Sequence, residues 1–247
     1  MQPPYTRAVP NPGPAEVLVP VKAFHQAKAR LSPVLDRAQR AALARSMAAQ
    51  VLAAAAPLPV RVVCDDEQVA QWAREQGAGV EWTPGLGLNG AVQEATARAA
   101  ARGVERVVVT HADLPFAEHL ASLGDAATDE AVVVSDRRGT GTNVLSVPTA
   151  AGFTFAYGVG SLRRHLDEAQ RCGLRVRRSH SEHLGWDVDE PEDLDVPEHL
   201  GRLDPTGLSE PPDSPDPGAG APGADPSPAV DPPPRAQPSP NDRRSTR

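Results

Sequence analysis

VVVTHADLPF, residues 107–116, is the stretch on which the reading of the fold turns. Three valines and a threonine run straight into His111, Ala112 and Asp113, and the run stops at Leu114 and Pro115. An unbroken apolar run of this kind reads as a strand buried on both faces, and a proline cannot continue a central hydrogen-bonded ladder. Asp113 is therefore expected just past the carboxyl end of a central strand, the edge at which open α/β sheets bind ligands. A turn residue or a helix cap is the other ordinary use of an aspartate in such a place.

Outward from this strand, ERVVVT from Glu105, four further runs precede or follow it: EVLVPV from Glu16, PVRVVC from Pro59, VEWT from Val80 and EAVVVS from Glu130. Ala-rich stretches with helical spacing lie between the first four, among them RAQRAALARSMAAQVLAAA from Arg37 and GAVQEATARAAARG from Gly90. NVLSVP from Asn143 and LRVRRS from Leu174 read as later strands, with SLRRHLDEAQRCG from Ser161 as a helix between them. Strands alternating with helices give a mainly parallel sheet covered on both faces, so a single-domain α/β/α sandwich is expected. No internal repeat interrupts this order.

The ends of the chain have a different composition. From Leu203 to Arg247 the sequence holds 13 of its 27 prolines, mixed with Gly, Ser, Ala and Asp. Such a segment has too little apolar surface to offset its ordering entropy and reads as a disordered tail over residues 203–247. Residues 1–14, MQPPYTRAVPNPGP, read as a flexible leader, which leaves residues 15–202 as the folded domain. The net charge of −7 argues against a nucleic-acid binder, which needs a basic face. Cys64 and Cys172 are too few and too far apart for a disulfide framework or a metal knuckle. No apolar stretch is long enough for a signal sequence or a membrane span, and a cytoplasmic location is expected.

Three segments carry candidate chemistry. VPVKAFHQAKARLSP, residues 19–33, places Lys22, Lys28 and Arg30 on the loop after the first strand, where a doubly wound fold commonly meets a phosphate; three cations there suit a triphosphate. A solvated basic loop is the plainer account. TPGLGLNGAVQEA from Thr83 contains Gly85, Gly87 and Gly90 in the G-x-G-x-x-G spacing, yet after the third strand rather than the first. It reads either as a tight loop with Asn89 capping the helix, or as a loop whose backbone approaches a nucleobase with Asn89 free to bond it. In GWDVDEPEDLDVPEHL, residues 185–200, Asp187 and Asp189 alternate along an apparent short strand and are read as facing opposite sides, so that at most one joins Asp113. Glu192 and Asp193 then fall near a helix start, where the dipole favours them. Two converging carboxylates repel, and a divalent ion with oxygen ligands and room for substrate phosphates, Mg²⁺, removes the repulsion.

VPVK with AKARL, then GLN, ADLP, TGTNVL, YGVGSLRRH and WDVDEPEDL, in this order, resemble the 2-phospho-L-lactate guanylyltransferase family. The branch most resembled is that of the phosphoenolpyruvate guanylyltransferases of coenzyme F-420 biosynthesis, over about Val17 to Leu194. The resemblance implies a nucleotide-diphosphosugar-transferase-like fold and transfer of GMP from GTP to phosphoenolpyruvate, or alternatively to 2-phospho-L-lactate. It implies Asp113 and Asp189 as metal-binding residues, with Lys22 beside them in catalysis. Lys22, Lys28 and Arg30 correspond to the triphosphate loop, Gly87 and Asn89 to the base loop, and Thr142, Gly158 and Ser161 to the acid-substrate site. A downstream transferase of the coenzyme pathway is the implied protein partner. Hydroxyls beside a helix start can bind an anion on physical grounds too, although Ser161 is equally placed to cap that helix. Two other readings stay open: a nicotinamide-dependent oxidoreductase on Gly85, Gly87 and Gly90, and a noncatalytic nucleotide-binding module.

Deleting Leu203 onward is expected to leave the melting temperature and turnover almost unchanged, because nothing of that composition can join a core. Differential scanning calorimetry of the truncated protein checks this, and a large fall in melting temperature would mean that a docked segment had been removed.

Overall fold

The computed structural model describes residues 14–203, all of which belong to one compact unit. The leader and the tail assigned from composition lie outside the described residues, apart from Pro14 and Leu203. Leu203, assigned by composition to the tail, packs against the cluster of Leu31, Leu43 and Val188.

Seven strands form one sheet: β1 (Ala15–Pro20), β2 (Val60–Cys64), β3 (Gly79–Trp82), β4 (Arg106–Thr110), β5 (Glu130–Ser135), β6 (Thr142–Pro148) and β7 (Arg175–Arg178). Their order across the sheet is β3-β2-β1-β4-β6-β5-β7. All neighbours run parallel except β6, which is antiparallel to both β4 and β5. The chain therefore winds outward from β1 through β2 to β3, then returns to the other side of β1 as β4. That reversal opens a crevice beyond the carboxyl ends of β1 and β4.

Alternation along each strand divides the core. Val17, Val19, Val62 and Val108 face one side, under α1 (Arg37–Ala54) and α2 (Glu67–Glu75). Leu18, Val63, Val107 and Val109 face the other, under α3 (Gly87–Ala101) and α4 (Ser161–Arg171). A residue spacing of two sends neighbours to opposite faces, and both faces are covered, which is why these strands read as continuous apolar runs. α1 begins at Asp36, whose carboxylate accepts from the Gln39 amide at 2.8 Å while the Gln39 side chain accepts from the Asp36 amide at 2.8 Å. Such a reciprocal cap satisfies two of the unpaired donors at a helix start. α2 starts in the same way, Asp66 accepting from the Val69 amide at 3.0 Å.

Three local expectations are revised. α3 begins at Gly87 with Leu86 at its cap position and no side-chain cap, so Asn89 lies inside the first turn and does not cap the helix. α4 begins at Ser161 behind Gly160, whose φ of 70° turns the chain into the helix; Ser161 is its first residue, not its cap. Residues 186–189 form no strand, and a one-turn helix, α5 (Glu182–Gly185), precedes them. No helix among the described residues is long and apolar enough to cross a membrane.

Candidate active site

β1 and β4 are adjacent in the sheet, so the loop after Pro20 and the loop after Thr110 leave the same edge side by side. Between them and the ends of β2 and β3 lies a cavity of about 470 Å³. Lys22, Lys28, Arg30, Asp113 and Asp189 all line it, and so does Gly87 at the start of α3.

The residue at the centre is Lys28. It stands at the cap position that opens the second of two short 3₁₀ turns after β1, Ala29–Leu31, and sits in the left-handed region, φ 54° and ψ 40°. Its ammonium donates to Asp113 Oδ2 at 2.6 Å and to Asp189 Oδ1 at 3.0 Å. Burial works against the Lys28 charge, but attraction to Asp113 and Asp189 outweighs it and the pKa rises. For Asp113, burial again opposes ionisation, and the Lys28 charge overrides it so that the carboxyl is held below its ordinary value. The repulsion between the two carboxylates, which the sequence reading relieved with a divalent ion, is met here by a lysine. Asp113 Oδ1 is nonetheless buried without a hydrogen-bond partner, 3.8 Å from His111 Nδ1. His111 Nε2 and the Thr83 hydroxyl, on the same cavity wall, are also buried and unpartnered.

Asp187 corrects the expectation for the acidic motif. Val188 is fully buried against Leu31, Leu43 and Met47, and its amide donates to the Asp113 carbonyl at 3.2 Å. In extended backbone, residues two apart return to the same side. With Val188 turned into the core, Asp187 and Asp189 both face away from it rather than to opposite faces. Burial raises the Asp187 pKa and the nearby Asp113 charge raises it further, which places a third carboxylate in the electrostatic reach of the pair. The signal for this was in the sequence: an aliphatic residue flanked by two aspartates beside a buried β-edge.

Asp193 stands in the first turn of the 3₁₀ helix Pro191–Leu194, beside Glu192 and near a helix start as its sequence position implies. It also does more than meet the dipole there. Its buried carboxylate folds back, Oδ2 accepting from the amides of Asp189 at 2.7 Å and Glu190 at 2.8 Å. Four donors offset the cost of burying it: those two amides plus the guanidiniums of Arg137 and Arg138.

The remaining site residues gather beside the cavity rather than on its wall. The Asn89 carboxamide is engaged on both sides by the backbone of Tyr157, accepting from its amide at 2.7 Å and donating to its carbonyl at 3.3 Å. It fixes the strap that leads into α4. Thr142 is buried at the start of β6, its hydroxyl 3.0 Å from His165 Nδ1. Since His165 Nε2 accepts from the Ala156 amide at 3.0 Å, the proton sits on Nδ1 and is donated to Thr142. The Ser161 amide donates to the Gly158 carbonyl at 3.0 Å and the Leu162 amide to the Thr140 carbonyl at 3.1 Å. Thr142, Gly158 and Ser161 are therefore brought together at the head of α4. This second cluster meets the first through His111 and Tyr157, whose ring centres are 5.3 Å apart.

A carboxylate pair bridged by a cation at the switch point, a basic loop and an open cavity are the furniture of phosphoryl or nucleotidyl transfer. Residues 15–197 match the family model described as guanylyl transferase CofC like. The chain belongs to that family. It is 37% identical over 184 residues to a phosphoenolpyruvate guanylyltransferase of Rubrobacter xylanophilus, covering 72% of this chain and 90% of the relative. A 2-phospho-L-lactate guanylyltransferase of Methanothermobacter thermautotrophicus is 34% identical over 182 residues, covering 72% and 81%. Among solved structures, a protein assigned as a nucleotide-diphospho-sugar transferase from Desulfovibrio desulfuricans superposes with a TM-score of 0.58 at 19% identity, over 71% of this chain and 82% of that one. A nucleotidyl transferase from Methanothermobacter gives 0.57 at 12% identity, over 75% and 97%. The protein is thus an enzyme of the guanylyl transferase class with the nucleotide-diphosphosugar-transferase-like fold. The oxidoreductase reading falls with this, and so does the noncatalytic one; Gly85, Gly87 and Gly90 shape the entry to α3.

His165 gives this region a pH signature. Burial, with help from the neighbouring Arg164 charge, pushes its pKa from 6.5 down to about 4. The folded state therefore refuses a proton that the unfolded chain takes up below about pH 6.5, so stability falls as pH drops from there toward about 4. At 1.36 kcal/mol per unit, this one residue should account for about 3 kcal/mol of unfolding free energy lost across that window. Urea melts between pH 7 and 4 check it, and His165→Gln should flatten the slope.

Proposed function

We propose that this enzyme transfers the guanylyl group of GTP to phosphoenolpyruvate, releasing pyrophosphate and forming enolpyruvyl-diphospho-guanosine for coenzyme F-420 biosynthesis. The observation that carries the reading is the Asp113–Lys28–Asp189 constellation at the switch point of a chain in a guanylyl transferase family. Phosphoenolpyruvate is chosen over 2-phospho-L-lactate because the relative named for it is 37% identical, against 34% for the relative named for 2-phospho-L-lactate. A cytoplasmic location, and delivery of the product to a downstream transferase, follow from the same assignment.

An oxygen of the acceptor phosphate attacks the α-phosphorus of GTP, a new P–O bond forms, and the bond to the β-phosphate breaks with its electron pair leaving on pyrophosphate. The acceptor is already an oxyanion at neutral pH, so no general base is required and the work is alignment and charge neutralisation. Lys22, Lys28 and Arg30 hold the phosphates from the β1 loop. Gly87 lets the backbone at the head of α3 approach the base, with Asn89 bracing the strap behind it. Gly158 and Ser161 receive the acceptor at the head of α4, while Thr142 supports them through His165.

The residues also fit Mg²⁺. Asp113 Oδ1 is buried without a partner, and a cationic ammonium already occupies the space between the two carboxylates. Among the described residues no group of three or more His, Cys, Asp or Glu side chains forms a closed metal cage. One or two carboxylates plus substrate phosphates is the ordinary setting for Mg²⁺. Held by Asp113 and Asp189, the ion would neutralise charge on the reacting phosphates.

Mass spectrometry of the products from purified enzyme, GTP, Mg²⁺ and equal subsaturating phosphoenolpyruvate and 2-phospho-L-lactate tests the substrate assignment. The enolpyruvyl product should dominate; a dominant lactyl product would reverse the choice of acid. Asp113→Ala and Asp189→Ala should each abolish turnover. Because Lys28 is left short of a partner, both variants should melt below the parent. Turnover near the parent rate in both would remove the metal assignment.

Lys28→Met supplies the complementary measurement. With its ammonium gone, Asp113 and Asp189 repel, so the variant should melt several degrees lower in EDTA. Millimolar Mg²⁺ should restore more of its melting temperature than it adds to the parent's. Equal responses to Mg²⁺ in the two proteins would show that metal and ammonium do not share a site.

A further inference from the structure

We infer that Arg137 and Asp193 are the positioning residues for Asp189: together they fix the backbone from which that carboxylate reaches the nucleotide site. The inference rests on the reading of Asp113 and Asp189 as metal ligands, and goes beyond it by naming what sets the second ligand in place. Neither Arg137 nor Asp193 lines the cavity, so neither is placed to touch substrate.

The geometry is a closed loop. Asp193, 1% exposed, turns its carboxylate back onto the amides of Asp189 and Glu190, four and three residues earlier. Its other oxygen accepts from the guanidinium of Arg137, with Arg138 at 3.3 Å. The Arg137 guanidinium lies over the indole of Trp186, 4.3 Å from the ring centre, and the Trp186 indole N–H donates to the Asp193 carbonyl at 3.1 Å. The Arg137 amide donates to the Gly185 carbonyl at 2.8 Å. Residues 185 and 193 are therefore both tied to Arg137, and the segment carrying Asp187 and Asp189 is strung between them.

A nearly inaccessible carboxylate held by two amides and two guanidiniums is an expensive arrangement for a surface loop. The contact with the Glu190 amide is the reciprocal cap of the 3₁₀ turn Pro191–Leu194, but capping that turn needs neither the Asp189 amide nor the guanidiniums. The arrangement acts on the Asp189 amide, and through it on a side chain that is itself 45% exposed and meets Lys28 at 3.0 Å. Arg137 belongs to the β5–β6 connection, which also carries Thr140, the partner of the Leu162 amide at the head of α4. One connection thus holds both the second metal ligand and the acceptor-binding helix start. Arginine suits the post because its planar fork can stack on Trp186 and bond Asp193 at once, which lysine cannot do.

The test is Mn²⁺ binding to the full-length protein without substrates, read by electron paramagnetic resonance of the free ion. The parent should bind, and Asp113→Ala should not. Asp193→Asn should weaken Mn²⁺ binding about tenfold or more, the range found when groups that orient metal ligands are removed. Arg137→Lys keeps the charge but loses the stack and one donor, and should weaken binding roughly threefold or more. In both variants turnover should be recovered by raising Mg²⁺, a response that a general loss of folding does not give. Parent-like Mn²⁺ affinity in Asp193→Asn, or in a folded Arg137→Lys where the asparagine variant fails to fold, would overturn the inference while leaving the metal assignment intact. Failure of the parent to bind Mn²⁺ would overturn both.

Discussion

Two carboxylates from distant parts of the chain have to be held within reach of one ammonium, and most of the molecule serves that constraint. Asp113 comes from the end of β4 and Asp189 from a loop 76 residues later, yet both meet Lys28. The meeting requires β1 and β4 to be neighbours, which in turn requires the chain to wind out to β3 and return. Lys28 accepts a left-handed backbone to reach the position, a conformation that costs a residue with a side chain roughly 1–2 kcal/mol. Two charge-assisted hydrogen bonds of the partly buried kind offset a cost of that size.

The cavity is organised along the sheet. Its polar end lies at β1 and β4, where Lys22, Lys28 and Asp113 stand; its other end lies at β2 and β3, beside Cys64, Thr83 and Gly87. Strands are spaced about 4.8 Å, so three steps from β4 to β3 span about 14 Å. That is a length suited to an extended nucleotide, phosphates at one end and base at the other. The cluster of Thr142, Gly158 and Ser161 at the head of α4, proposed above for the acceptor, connects to this cavity through the His111–Tyr157 ring contact. On the proposed reading, nucleotide and acceptor would meet near Asp113, the kind of alignment that in-line displacement needs.

Much of this was legible in the sequence because burial on both faces leaves so clear a mark. β1, β2 and β4 to β6 read as apolar runs since neither face sees water, and α1 announced itself over eighteen residues. α2 did not, being nine residues long, and its start at Asp66 resembles any turn. The boundary of α3 was read at Gly90 rather than Gly87 because glycines at a helix start look like loop. At the site, residue types pointed correctly to the edge on which they would sit. They did not say which side chains would be taken up by the protein itself. Asn89 looks like a base contact and is engaged by Tyr157; Thr142 looks like a substrate contact and is engaged by His165. Asp187 was misplaced by a periodicity argument: a spacing of two returns to one face, and the buried Val188 between the aspartates was the clue.

The charge balance at the centre explains why lysine and a divalent ion can both belong to one mechanism. Lys28 brings a single positive charge to two carboxylates, so without nucleotide the trio keeps a net negative charge, and Asp187 adds to the negative field. A site of that sign repels a triphosphate. A divalent ion beside the same two carboxylates would leave the Lys28 charge in excess and reverse the sign, with Lys22 and Arg30 adding to it from the cavity wall. Nucleotide and metal would then favour each other's entry, because each would remove the charge that opposes the other. Lys28 would then be released from between the carboxylates, on the same cavity wall as Lys22 and Arg30. On this argument the lysine is neither a structural ion pair nor a phosphate ligand alone. It holds the two carboxylates together, and with Mg²⁺ bound as proposed its charge would be available to the reacting phosphates.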